Sequence, residues 1–161
     1  MNIEPDIFYG QSDIDVSKNF KNEVSLIKKK MNELEIDDSK LLVFSSPLRR
    51  CVKLSEQLFN KFKTDERLKE LNFGDWENKK ISQITQEEIE KWKKDIMNFQ
   101  IPNGETNRMF FERLKSFCDE IFRSDNDFFI VAHAGSINCI ISYLANIAFD
   151  KLVLENWKKI G

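Results

Sequence analysis

Two segments of the chain join a short apolar run to basic or titratable side chains. FSSPLRRC (44–51) carries Arg49 and Arg50, and VAHAGS (131–136) carries His133. An arginine guanidinium matches the geometry of a phosphate group, and a histidine that titrates near neutral pH could transfer a proton or stabilise phosphate charge. The segments therefore predict an anionic, phosphorylated ligand. The alternative that the arginines are solvated and the histidine is structural stays open at this point.

A third segment, RLKELNFGDWEN (67–78), places Glu70 in a stretch that contains glycine and tryptophan. A carboxylic acid in such a loop could act as the general acid that protonates a leaving alkoxide. Most glutamates are solvated, so the segment alone is also compatible with an ordinary surface loop. For Trp76 we favour a packing role.

The elements that must position these residues alternate between strand and helix. LLVFS (41–45) and FFIVA (128–132) are short apolar runs typical of buried parallel strands. Ser46-Pro47 resembles a cap followed by a first helical residue, and an apolar helix is predicted from Ser136 to about Ala148. Ligands of open α/β sheets bind at the carboxyl ends of strands, where helix N-termini attract anions. We predict an α/β fold with a mainly parallel sheet and the site at that edge.

Three further helices are predicted from caps and apolar spacing. One is capped by Ser17 and runs to about Met31, and one opens with a Thr85–Glu88 capping box and runs to about Phe99. The third follows Thr106, and its inward residues are Phe110, Leu114, Phe117 and Ile121.

Composition restricts the class of protein. The 161 residues fit one domain, 1–161. With 25 basic and 27 acidic residues, the net charge of −2 gives no basic field for nucleic acid. The three cysteines have no CxxC spacing, so neither a disulfide framework nor a metal site is predicted. The N-terminus lacks secretory-signal features and no apolar run is long enough to span a bilayer. We predict a cytoplasmic protein without a membrane partner.

Four segments resemble motifs of the histidine phosphatase (phosphoglycerate-mutase-like) superfamily, in the family's order. SSPLRRC resembles SSPLxRxxxT, LKELNFGDWEN resembles LxExxxGxWEG, VAHAGSIN resembles VSHGGxIR, and PNGET (102–106) resembles PGGES, with Glu105 in its acidic position. YGQSDIDVS (9–17) resembles the YGxxDxxLS stretch of the alpha-ribazole phosphatase branch.

The resemblance implies a three-layer α/β/α fold and a cofactor-independent phosphomonoester hydrolase. Its ligand would be a phosphorylated small molecule, and alpha-ribazole-5'-phosphate of cobalamin synthesis is the implied candidate. The implied catalytic residues are Glu70, as proton donor, and His133, beside the transferred phosphoryl group. The implied phosphate-binding residues are Arg50 and Ala134. The substrate loop would comprise Tyr9, Gln11 and Ser12.

The sequence also departs from the family pattern. The family's first strand ends in Arg-His-Gly or Arg-His-Thr and carries the nucleophilic histidine, and we expect it just before Met1. His133 is the one histidine in the chain. Asn78 and Asn138 replace a glycine and an arginine of the motifs. We therefore expect a domain truncated at both ends that lacks its first and last strands.

This departure leaves two alternatives to an enzyme. The first is an inactive pseudophosphatase that binds phosphorylated ligands without turnover. The second is an interaction fragment whose unpaired sheet edges recruit a partner or lead to self-association.

Overall fold

The computed structural model describes residues 6–151 and 153, and its centre is a parallel β-sheet. The strands are β1 (Leu41–Ser45), β2 (Lys63–Thr64) and β3 (Asp127–Val131), and in the described part of the chain they lie in the order β2-β1-β3. β1 pairs directly with β3, from Leu41 opposite Asp127 to Ser45 opposite Val131. The predicted α/β class is confirmed. β3 begins and ends one residue earlier than the predicted strand, 128–132.

Among the described residues, five α-helices surround the sheet, and 149–151 and 153 are also helical. Their bounds are α1 Phe20–Glu33, α2 Arg49–Leu58, α3 Gln86–Lys94, α4 Asn107–Ile121 and α5 Ala134–Ala145. Short 3-10 turns occupy Asp38–Lys40, Glu66–Leu68, Gly74–Trp76 and Ile81–Gln83. Within the described ranges, no helix has the length and apolar content to cross a bilayer.

Two predicted helix starts, at Ser17 and at Ser46-Pro47, are wrong. α1 begins at Phe20, and the Ser17 hydroxyl donates to Glu23 at 3.1 Å instead of capping the helix. α2 begins at Arg49, not at Ser46-Pro47, because Leu48 still has extended backbone. Ser46 Oγ lies 2.7 Å from a ring nitrogen of His133. The same hydroxyl accepts from Leu48 N at 3.4 Å, so Ser46 lies in a turn ahead of α2 and also contacts His133.

The predicted boundaries of α3 and α5 differ from the observed ones by a few residues. α3 has the Thr85–Glu88 capping box as predicted. It ends at Lys94 rather than near Phe99, because Asp95 leaves the helical conformation at φ −136° and ψ 68°. α5 begins at Ala134, two residues before the predicted Ser136, directly after the extended backbone of His133.

Apolar side chains on the two faces of the sheet pack against different helices. Val43 and Val131 pack with Cys51 on the side of α1 and α2. Phe44 and Ile130 pack against the larger core on the opposite side, which includes residues of α4 and α5. The four inward residues predicted for α4, Phe110, Leu114, Phe117 and Ile121, are all buried. Each such burial contributes about 1.5–3 kcal/mol, and the result is the expected three-layer arrangement.

β3 forms an edge of the sheet among the described residues. Phe128 to Ile130 are only partly buried, and α5 nearby exposes Ile137, Ile141 and Leu144. An open strand edge is a template for pairing with another chain. Self-association through the sheet edge remains a prediction for this chain.

Candidate active site

Arg50 and His133 meet at the carboxyl ends of β1 and β3. Arg50 is the second residue of α2, and His133 directly precedes α5. Arg50 Nε donates to His133 Nδ1 at 3.2 Å, and both residues are 8% exposed. The structure therefore brings the two strand-to-helix junctions together at one buried position.

The hydrogen bonds of His133 determine its protonation state. Nδ1 accepts from Arg50, so the ring proton lies on Nε2, which is 2.7 Å from Ser46 Oγ. Burial, reinforced by the charges of Arg50 and Arg113, lowers the pKa of His133 from 6.5 to about 3. The expectation that His133 titrates near neutral pH is wrong for this state. At pH 7 the imidazole is neutral, because protonation would place a third positive charge in a buried site.

Glu70 points its carboxylate at the first turn of α5. Its oxygens accept from Leu71 N and Gly135 N, both at 2.9 Å. A Cβ at position 135 would lie 2.2 Å from Glu70 Oε1, so a side chain there would displace the carboxylate from this position. Part of the residue is exposed, but protein surrounds the carboxylate, and burial raises the pKa of Glu70 above 4.5. A raised carboxyl pKa is the direction that suits a general acid.

Both helix N-termini at the site hold carboxylates of the chain itself. Arg49 N, at the start of α2, donates to Asp13 Oδ1 at 2.9 Å, and Gly135 N donates to Glu70. Negative side chains are favourable at helix N-termini, which explains the arrangement. The predicted phosphate position at Ala134 is exposed at the start of α5. The sequence did not identify Asp13, although YGQSD contains it.

The predicted substrate loop lies against Arg50 and Glu70. Arg50 donates to Gly10 O at 2.7 Å and to Ser12 O at 2.9 Å. Gln11 Nε2 donates to the backbone oxygen of Glu70 at 3.0 Å. Tyr9 is partly buried in the same loop. The loop thus contacts Arg50 through its own backbone oxygens, and it contacts the backbone of Glu70 through the side chain of Gln11.

Glu77 holds this loop in place, and the sequence did not single it out. Its carboxylate accepts from the backbone N–H groups of Gly10, Gln11 and Ser12 at 3.1, 2.8 and 3.1 Å. It also accepts from the Ser12 hydroxyl and from Phe73 N. Three successive N–H groups around an anion form a backbone nest. The available signal was the position of Glu77 in the WEN triplet that resembles WEG.

Cys51 lies beside His133 but lacks the properties of a nucleophile. Its Sγ is 3.6 Å from His133 Nε2, and burial raises the pKa of the thiol to about 11. Only a thiolate is strongly nucleophilic, so the thiol is inert at neutral pH. In the described part of the chain, no group of three or more His, Cys, Asp or Glu side chains could hold a metal ion.

Comparison with known proteins identifies the family. The model of the histidine phosphatase superfamily (branch 1) matches residues 2–157. "Putative phosphoserine phosphatase 2" of Hydrogenobacter thermophilus is 27% identical over 157 residues, which are 92% of this chain and 75% of that protein. "Probable phosphoglycerate mutase GpmB" of Yersinia pestis is 32% identical over 90 residues, and the match spans 52% of this chain and 41% of that protein.

A solved structure shows the same fold. The alpha-ribazole phosphatase from Shigella flexneri superposes with a TM-score of 0.76 at 21% identity, over 89% of this chain and 74% of that one. The family match covers nearly the whole sequence, and the motif residues meet at one sheet edge. The chain therefore belongs to the histidine phosphatase superfamily, branch 1.

Proposed function

We propose that this site serves phosphomonoester hydrolysis of the histidine phosphatase type. The observation that carries the proposal is the buried contact between Arg50 and His133 beside the enclosed carboxyl group of Glu70. Arg50 anchors the phosphate, His133 stabilises its charge, and Glu70 protonates the leaving oxygen.

Arg50 can bind phosphate without losing its present contacts. A guanidinium has five N–H donors, and three of those of Arg50 are used by His133, Gly10 O and Ser12 O. We assign the two remaining donors to a phosphate oxygen. A phosphate dianion beside His133 would raise the pKa of the imidazole, because an opposite charge favours the protonated form. His133 would then become a charged donor when the ligand binds.

The phosphoryl acceptor is the remaining requirement of this route. Transfer to a histidine divides one difficult step into two easier ones. His133 is the one histidine in the 161 residues, and the proposed route uses it to stabilise the charge of the phosphate. A phosphohistidine route therefore needs a further histidine from outside these residues.

The substrate that we propose is alpha-ribazole-5'-phosphate, an intermediate of cobalamin synthesis. Support comes from YGQSDIDVS (9–17), which resembles that branch, and from the position of Gln11 and Ser12 at the site. A cytoplasmic location is part of this proposal, and the three free, buried cysteines are compatible with it.

A second candidate function is binding of phosphorylated ligands without turnover. The single histidine of the sequence favours it, because Arg50 can anchor phosphate whether or not a nucleophile is present.

The first prediction separates the two functions. We expect the 161-residue polypeptide to hydrolyse p-nitrophenyl phosphate no faster than its His133→Ala variant. An N-terminal extension that adds a strand ending in Arg-His-Gly should create activity that His133→Ala and Glu70→Gln both reduce. No turnover in the extended chain would leave only the binding function. Turnover with a trapped phosphoenzyme in the 161-residue chain would contradict the need for a second histidine.

The second prediction concerns the phosphate anchor. We expect inorganic phosphate to bind with a Kd of roughly 1 mM, equivalent to about −4 kcal/mol, because carboxylates of the chain hold both helix N-termini. Arg50→Ala should abolish binding in calorimetry. Arg49→Ala is the matched control, since the Arg49 guanidinium pairs with Asp13 at 3.0 Å and its side chain is 52% exposed. Equal binding by wild type and Arg50→Ala would remove Arg50 from the site.

A further inference from the structure

Backbone carbonyl groups of the loop that carries Glu70 converge on one side chain of α4, Arg113. Its Nη1 donates to Arg67 O at 2.6 Å and to Lys69 O at 2.8 Å, and Nη2 donates to Glu70 O at 2.9 Å. Buried backbone carbonyls need hydrogen-bond partners. Here a charged guanidinium supplies the partners that a helix or sheet would supply elsewhere.

The same guanidinium forms a bidentate pair with Glu105. Nε donates to Oε1 at 2.7 Å and Nη2 to Oε2 at 2.9 Å, and the side chains of Arg113 and Glu105 are only 20% and 15% exposed. Glu105 Oε2 also accepts from Asn72 N at 2.9 Å. The ion pair therefore contacts the chain on both sides of Glu70.

The segment around Glu105 fits against the loop by close backbone contact. Glu105 N donates to Asn72 O at 2.9 Å. Gly74 has φ +47°, and a Cβ on it would lie 2.1 Å from Pro102 O. A Cβ on Gly104 would lie 2.5 Å from Asn72 O. Only glycine permits this approach and this backbone conformation, which gives the PNGET segment a specific role.

These contacts fix the backbone from which the Glu70 side chain projects. We propose that Arg113, held by Glu105, is a positioning residue for Glu70 that directs its carboxyl group to the first turn of α5. The proposal rests on the proposed function only in assigning Glu70 the role of proton donor. Arg113 acts on the site through Glu70.

A merely structural role for Arg113 is the competing explanation, and Arg67 offers a matched control. Arg67 also forms a partly buried ion pair, with Asp65 at 2.6 Å, and its side chain is 26% exposed. It stacks over Phe117, yet its guanidinium makes none of the Glu70 contacts. Arg113→Lys and Arg67→Lys therefore both remove a planar guanidinium while keeping the positive charge. Only Arg113→Lys should affect Glu70.

The experiment follows two signals by NMR in the wild-type chain and both variants. Gly135 N–H, which donates to the Glu70 carboxylate, should exchange with solvent about ten-fold faster in Arg113→Lys, because a local contact opens. The carboxyl titration of Glu70 should move towards its ordinary pKa, since burial is the main cause of its raised value. Arg67→Lys should leave both signals as in wild type once global stability is matched with urea.

Two outcomes would overturn the proposal. One is an equal change of both signals in the two lysine variants. The other is an unchanged Gly135 signal in Arg113→Lys. If Arg113→Lys does not fold, Glu105→Gln provides the second test and should change the same signals in the same direction. Because neither signal depends on turnover, failure of the hydrolysis assay and failure of this test are separate results.

Discussion

Acidification from pH 7 to pH 5 is expected to stabilise a His133→Gln variant by about 2 kcal/mol relative to the wild-type chain. In the folded protein the pKa of His133 is about 3, against 6.5 for the ordinary group. Between these values the unfolded chain takes up a proton at His133 and the folded chain does not. The wild-type chain therefore loses stability as the pH falls below 6.5, whereas the variant has no imidazole to protonate.

The stability of two proteins must be compared because Glu70 changes the pH dependence of stability in the direction opposite to His133. Its folded pKa is raised, so its contribution to stability is present below its ordinary pKa of 4.5 and is lost as the pH rises through the folded value. Surface carboxylates with lowered pKa values, such as Asp15 and Asp119, titrate below this window. Subtracting one stability curve from the other cancels these contributions and leaves that of His133.

Urea unfolding at pH 7, 6 and 5 measures the difference. A glutamine at position 133 can still accept from Arg50 and donate to Ser46, so the variant keeps the hydrogen-bonding pattern without the titration. Glu70→Gln is the complementary control and should make the acid loss of stability steeper. Parallel stability curves for wild type and His133→Gln would contradict the assignment of a buried, neutral His133.

The sequence predicted the elements whose stability is local or periodic. The apolar runs of β1 and β3 and the inward face of α4 are visible in single segments, and the structure confirms them. The predicted start of α2 was wrong because Leu48 keeps an extended backbone, and Ser46, the predicted cap, contacts His133, 87 residues away. A pattern within a few residues contains no information about such a partner.

In the candidate site, too, residues in local motifs were predictable and residues with distant partners were not. Arg50, Glu70 and His133 lie in motifs with a recognisable order, and the structure brings them together. The residues that hold them, Arg113 and Glu77, have partners 43 and 65 to 67 residues away in the sequence. Nothing in the neighbours of Arg113 along α4 distinguishes it from a solvated arginine. Only the folded chain shows that loop carbonyls surround it.

Replacement of Glu77 by glutamine is expected to lower the free energy of unfolding by about 2–3 kcal/mol. The two carboxylate oxygens accept from four backbone N–H groups and one hydroxyl. A glutamine amide has one oxygen, and its NH₂ group would face N–H donors that it cannot satisfy. At least two donors then lose their acceptor, and each such loss costs about 1–1.5 kcal/mol, the lower part of the usual range, because the loop is only partly buried.

For a domain of this size the loss corresponds to a decrease in Tm of roughly 5–10 °C. Glu87→Gln is the matched control, because Glu87 lies on the surface of α3 with a side chain that is 76% exposed and contacts Lys91. That variant should stay within about 0.5 kcal/mol of wild type. Thermal unfolding of the three proteins at pH 7 compares them directly. Equal melting temperatures for the two glutamine variants would show that the loop at 10–12 does not depend on the Glu77 carboxylate. A selective loss in Glu77→Gln would show that this carboxylate, from 65 to 67 residues away, holds the loop on Arg50.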